Sequence, residues 1–416
     1  MPLSNAKISP GSKNWIAKYF ELADNEIISL ALNDNNDDLE DLLELVSSKT
    51  GLIFGVSNSF IFSNHLDTTH YTSDESLKVL LFESLMLAYL QQSKNDFKKD
   101  SFIQSLGQFY QIWKEDKWMD KWFKGDQINE LEKILATRVK VNTSIFGTNY
   151  WINHLSNALT FIDVLLYIEF LEDNSMLFDH KRIDYTFSVL KGVVAAALAD
   201  GLIEPKEQRI IDHLLASADL PRKYEKELAR YMEKSSTISS FEFYNKQLAK
   251  ITFKLALFLT EGTHQATETE VHKIHLLGQQ FGLNAEDIAE CHLICEAFIF
   301  DRNVQLNQIK EDNQVKLVYK GFSTRWIRIL GRNKEKFVNE LKESKELIAL
   351  IKKSTQHELS KEEKEKVKTQ FLDVLKSVPS IGIFLLPGGA ILLPLILKIV
   401  PDLIPSAFKE NEIKKK

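Results

Sequence analysis

Five of the nine prolines in this chain stand in one apolar stretch near the C-terminus, at Pro379, Pro387, Pro394, Pro401 and Pro405. Proline lacks the N–H and clashes with the carbonyl one turn back, so it breaks an ordinary helix. Here it recurs inside a run that carries no charge from Ser377 to Leu397. In a bilayer a helix has few alternatives to remaining a helix, and neighbouring groups re-satisfy the carbonyls that proline frees. At about 1.5 Å rise per residue, these 21 uncharged residues reach roughly the 30 Å of a hydrocarbon core. Lys364, Lys366, Lys368 and Lys376 precede the run, and Lys398, Lys409 and Lys414 to Lys416 follow it, placed to snorkel to headgroups. The pattern predicts a proline-rich transmembrane helix at about 377–400. The alternative is a hairpin, buried or lying in the interface, that turns at Pro387-Gly388-Gly389.

The rest of the chain reads as a multi-domain, all-α protein. No proline occurs between Pro10 and Pro205, and apolar residues recur at helical spacing through most segments. Thr72 with Glu75, and Ser360 with Glu363, have the spacing of a capping box. Gly51 to Phe62 is the exception, where apolar residues flank Ser57-Asn58-Ser59 and a short β-hairpin is expected. The aromatics Phe102, Phe109, Tyr110, Trp113, Trp118, Trp122 and Phe123 begin on a helical stripe and read as packed core rather than a ligand box. No apolar segment follows the lysines of the first residues, so no signal peptide is expected and the bulk of the chain is placed in the cytoplasm. Cys291 and Cys295, four apart, read as small buried hydrophobes. Net charge is −6, but residues 310–416 hold 22 Lys and Arg against 14 Asp and Glu, a net of +8 that leaves −14 for residues 1–309. Anionic lipid, or a phosphate-rich partner such as ribosomal RNA, suits that basic part, and solvated helix faces are the plainer reading.

Two acidic turns punctuate the middle. Residues 193–215 describe a small-residue helix stopped at Asp200-Gly201 and a second helix that Pro205 opens. Sixty-one residues on, Glu261-Gly262 repeats the stop. Asp200, Glu204 and Glu207 offer oxygens to a hard divalent cation, and Glu261 and Glu268 add to the site from the second copy. It is no EF-hand, because Ala196 and Leu198 occupy the first and third positions. Acidic residues at helix starts also cap N–H groups and suit the macrodipole without any metal, which is the stronger reading. His264, His272, His275 and His292 lack zinc-site spacing.

These turns resemble the TerB-like helical domain of tellurite-resistance proteins, over roughly residues 184–302, which implies metal binding by the acidic turns. From Tyr319 onward, YKGFSTRWIRILGR, the helix HELSKEEKEKVKTQFLDVLKSVP and the ladder P-x7-P-x6-P-x6-P-x3-P, with Lys398, Phe408 and the Leu-Ile-Pro-Ser run, resemble the LETM family of leucine-zipper and EF-hand transmembrane proteins. That resemblance implies one membrane-spanning helix, a role in cation/proton balance and ribosome binding. The chain departs from the family at Ala390, where members commonly hold an intramembrane acid, and it has neither zipper nor EF-hand. The family's ribosome-binding region is expected to begin mostly beyond Lys416.

The organisation expected is a helical domain at 1–183, a TerB-like domain at 184–302, a linker at 303–317 and a LETM-like module at 318–416. No nucleophile with its base, phosphate-cradling glycine loop or catalytic carboxylate pair is legible, which argues against an enzyme. The function expected is that of a bacterial inner-membrane, cytoplasm-facing scaffold with lipid, a ribosome and a second copy of itself as partners, and not DNA. Cation homeostasis, by transport or by sensing at the acidic turns, is the alternative. Prolines 387, 394 and 401 share one helix face, and Gly388-Gly389 allows close backbone approach there.

Overall fold

Helices account for all the regular structure among the described residues, and no strand occurs there. The computed structural model describes residues 7–30, 46–48, 50–93, 97–111, 124–139, 156–175, 177–199, 203–234, 241–263, 268–292 and 344–354, with single positions at 43, 201, 294, 295, 298, 360, 362, 363, 366 and 370. The chain divides into two compact units, Met1–Ile288 and Ala289–Lys416.

In the first unit the helices are α1 (Trp15–Asp24), α2 (Ser73–Gln92), α3 (Lys99–Phe109), α4 (Lys124–Arg138), α5 (Phe161–Glu172), α6 (Phe178–Ala197), α7 (Pro205–Ala218), α8 (Arg222–Lys234), α9 (Lys246–Thr263) and α10 (Glu268–Gln280). Short 3-10 turns at Leu52–Phe54 and Ser156–Thr160 join them. Two helices organise this unit. α2 packs against α4 and α5, and α6 packs against α5, α7, α8 and, most extensively, α9. The domain boundary expected at 183/184 falls inside α6, because α5 lies against both organising helices and residues on either side of the boundary share one compact body. The expected linker at 303–317 and the proline-rich segment at 377–400 lie outside the described residues. Among the described residues no helix is long and apolar enough to cross a membrane.

α2 begins as the sequence requires. The Thr72 hydroxyl accepts the Glu75 N–H at 3.2 Å, and the Glu75 carboxylate accepts the Thr72 N–H at 2.7 Å. Beyond this cap the helix is apolar on every side, with Leu77, Val79, Leu80, Leu81, Phe82, Leu85, Met86 and Leu87 buried, as expected of a helix surrounded by others. Phe82 sits among aromatic rings, 5.3 Å from Trp15, 5.4 Å from Tyr19 and 5.6 Å from Phe102. The core reading of the aromatic stripe holds for Phe102, Phe109 and Tyr110, all buried, while 113–123 lies outside the described side chains.

The hairpin expected at Gly51 to Phe62 does not form. Its first apolar residues make the 3-10 turn, and the N–H groups of Ile61, Phe62 and Ser63 point to the Glu83 carboxylate at 2.5, 3.0 and 3.0 Å. Tyr19 donates a fourth hydrogen bond to Glu83 at 2.8 Å. A ladder partner is unnecessary once a fully buried carboxylate accepts three successive N–H groups. Burial pushes the Glu83 carboxyl up from its ordinary value, against these hydrogen bonds, which favour the charged form.

A second buried carboxylate joins the two halves of the unit. Asp163 on α5 accepts from Arg138 Nε and Nη2, both at 2.6 Å, and from the Tyr110 hydroxyl at 3.1 Å. The Arg138 guanidinium also lies 5.5 Å over the Phe178 ring at the start of α6. Removing one partner of such a buried pair costs roughly 3–5 kcal/mol, since the other is left uncompensated.

At the α6–α9 contact, a Cβ on Gly192 would lie 2.3 Å from Thr252 Cγ2 and 3.0 Å from Phe281 Cζ. Glycine there sets how closely the helices meet, and the small residues that follow it in the sequence continue the same buried surface.

Glu83→Gln replaces a two-oxygen acceptor by an amide whose NH2 cannot accept, so at least one of the loop N–H groups loses its partner. We expect a loss of about 3 kcal/mol in stability, measured by urea unfolding of the full chain in detergent. A loss below 1 kcal/mol would contradict the role given to this carboxylate.

Candidate functional site

The acidic turn forms as a helix start. Gly201, at φ 99°, takes the left-handed backbone that ends the α6 turn, and Pro205 occupies the first helical position of α7. Glu204 is the residue before that helix, and its N–H donates to Glu207 Oε2 at 2.9 Å in a capping box. Glu207 is 4 % exposed, so its carboxylate is turned toward its own helix rather than to solvent. The structure thus brings Glu204 and Glu207 together, as the capping reading requires. Asp200 lies outside the described residues. Glu261 falls in the last turn of α9 and Glu268 is the first residue of α10, and their side chains lie outside the description. Among the described residues no three His, Cys, Asp or Glu side chains gather as a metal would need.

His272 is exposed on α10, and His275 Nε2 lies 3.5 Å from Gln279 Nε2 on the same surface. His264 lies outside the described residues. Cys291 and Cys295 are both buried and not joined in a disulfide, in line with the reading of small hydrophobes.

The second unit offers a different kind of site, a paired helix surface. α11 (Lys345–Ser354) precedes a further helical stretch that contains residues 362, 363, 366 and 370. The capping box expected there is present: Ser360 Oγ accepts the Glu363 N–H at 3.2 Å, and Glu363 Oε2 accepts the Ser360 N–H at 3.1 Å. Ion pairs join the two helices in antiparallel order. Lys353 meets Glu363 at 2.6 Å, and Glu346 meets Lys366 at 3.0 Å and the Gln370 amide at 2.5 Å. Hydrogen bonds from Lys366 and then Gln370 hold the Glu346 carboxyl below its ordinary value, and Lys353 with the Ser360 N–H does the same for Glu363. Leu347 is buried, so a small apolar contact lies beneath these solvent-facing pairs. Among the described side chains the arrangement presents a surface of mixed charge, with Lys353 and Lys366 beside Glu346, Glu362 and Glu363.

Sequence reading missed the two buried carboxylates, Glu83 and Asp163. The signal was a lone acid inside an otherwise apolar run, as in VLLFESLML and TFIDVLLYI. Such an acid has nowhere to face but a donor.

Two outcomes test these assignments. Glu207→Ala removes a cap and is expected to cost about 1 kcal/mol, equally in excess calcium and in chelator by thermal unfolding of the full chain. A calcium-dependent loss would favour the metal reading over the cap. For the helix pair, the lowered carboxyl values mean stability that is complete above about pH 4.3 and lost as pH falls through the lowered values. Amides of 345–354 should therefore exchange faster at pH 3 than at pH 6 once intrinsic rates are corrected. Unchanged protection would show that the ion pairs contribute nothing.

Residues 359–416 match the family model described as LETM1-like, RBD. The match begins at the capped helix start and takes in the whole proline ladder, which overturns the expectation that this region lies mostly beyond Lys416. No curated protein and no solved structure matches the chain. Nothing in these comparisons supports the TerB-like resemblance of residues 184–302. The C-terminal stretch, from residue 359 onward, is similar to the LETM1-like family.

Proposed function

We propose that this chain is a non-enzymatic interaction protein of LETM-related kind, in which the C-terminal stretch docks on a ribosome. One observation carries the reading: the RBD family model, whose description denotes a ribosome-binding domain, covers residues 359–416. The net charge of +8 over residues 310–416 supports it, because ribosomal RNA presents a dense phosphate surface whose counterions lysine displaces. Lys364, Lys366 and Lys368 follow the Ser360–Glu363 cap in the sequence. In this reading the uncharged run 377–397 anchors the chain in the bacterial inner membrane, flanked by its lysines, with the helical first unit in the cytoplasm. Membrane and ribosome are then held side by side, and the large first unit is displayed beside them.

Two measurements test the proposal. Full-length protein in detergent is expected to sediment with ribosomes through a sucrose cushion. Glu at positions 364, 366 and 368 should reduce that binding by at least tenfold, and rising salt should weaken it steeply. Equal sedimentation by the triple variant would remove the docking role. Separately, the chain should stay with the membrane fraction after high-salt washing, and release with soluble protein would end the anchoring part.

A further inference from the structure

Arg182 lies in the first turns of α6 and is 8 % exposed, yet its Nε is shut away from solvent without a hydrogen-bond partner. One turn later on the same helix face, Thr186 is fully buried and its hydroxyl is likewise without a partner. Folding stripped both groups of the water that satisfied them in the unfolded chain. For a hydroxyl that loss is moderate, and for a guanidinium it is large. Two such groups one turn apart mark a place built to receive a polar atom.

Charge decides what kind. The neighbouring Arg138 guanidinium is already committed, bidentate, to Asp163, and that pair is electrically closed. Arg182 therefore brings a second positive charge to one buried carboxylate. Asp163, then Asp219 and Asp179, act on it electrostatically, but Asp163 is already engaged by Arg138, the other two are exposed to solvent, and none forms an ion pair with it. Burial, and then the nearby Arg138 charge, lower the Arg182 pKa against these carboxylates. A bound water would satisfy the Thr186 hydroxyl and leave the charge of Arg182 untouched.

We propose that Arg182 and Thr186 hold a small oxyanion, of phosphate or carboxylate size, where the end of α4 and the beginnings of α5 and α6 converge. The guanidinium fork matches two oxygens of such an anion, and the threonine hydroxyl donates to one of them or to a third. Asp163 keeps the Arg138 fork occupied, so Arg182 supplies the guanidinium that meets the ligand. Bound there, the anion joins the two halves of the first unit and couples their stability to the concentration of a small metabolite or ion.

Thermal unfolding of the full-length chain in detergent tests this, with sodium chloride, sodium phosphate and sodium acetate compared at matched ionic strength and pH. Phosphate or acetate is expected to raise the midpoint by about 2–5 °C over chloride, and whichever acts identifies the chemistry. Arg182→Met should abolish the rise, and Thr186→Val should reduce it. A midpoint indifferent to the anion, or a rise that survives in Arg182→Met, overturns the proposal. If Arg182→Met does not fold, Thr186→Val decides alone, and a rise equal to that of the unaltered protein overturns it.

Discussion

A guanidinium and a carboxylate enclosed together, each answering the other's charge, hold the first unit in one piece. Asp163 is fully buried on α5, and Arg138 reaches it from the end of α4 with two bonds of 2.6 Å. Tyr110, just past α3, donates to the same carboxylate, and Phe178 at the start of α6 lies beneath the guanidinium. Four helices thus end or begin at one ion pair. Desolvating both charges costs several kcal/mol each, and the pair repays this only through such geometry. Burial and then the Asp163 charge push the Tyr110 hydroxyl up, so it remains a donor across the ordinary range of pH. The part organised on α2 and the part organised on α6 therefore belong to one compact unit, with α5 packed against both.

Helices were legible where the local code was complete. The capping boxes at Thr72 and Ser360, the Pro205 helix start and the turn at Gly201 all depend on residues within a few positions of one another, and such information is carried in the sequence itself. The aromatic stripe at Phe102 was equally readable as core, because its helical spacing leaves one face apolar. The hairpin expectation at Gly51 to Phe62 failed for the opposite reason. Its local pattern was compatible with a strand pair, but the donors were claimed by a carboxylate more than twenty residues away, which no local rule reports.

The acidic turn shows the same distinction at the level of function. Three carboxylates in eight residues are compatible with a cation and with a helix cap, and the sequence alone carries both. Geometry shows the cap, since Glu207 Oε2 accepts the Glu204 N–H. The C-terminal stretch behaves differently again. Its prolines and lysines are read best by their resemblance to a family, whose model matches residues 359–416.

The three N–H groups that close around Glu83 belong to the main chain of residues 61–63, and the Ser63 side chain reaches the same acid. The path of that loop is consequently dictated from outside, by a single group on a distant helix. An imino acid at any of the three would silence a donor, and Phe62 and Ser63 are themselves buried. Exchange at these positions is therefore confined twice, by the acid that holds the backbone and by the interior that receives the side chains.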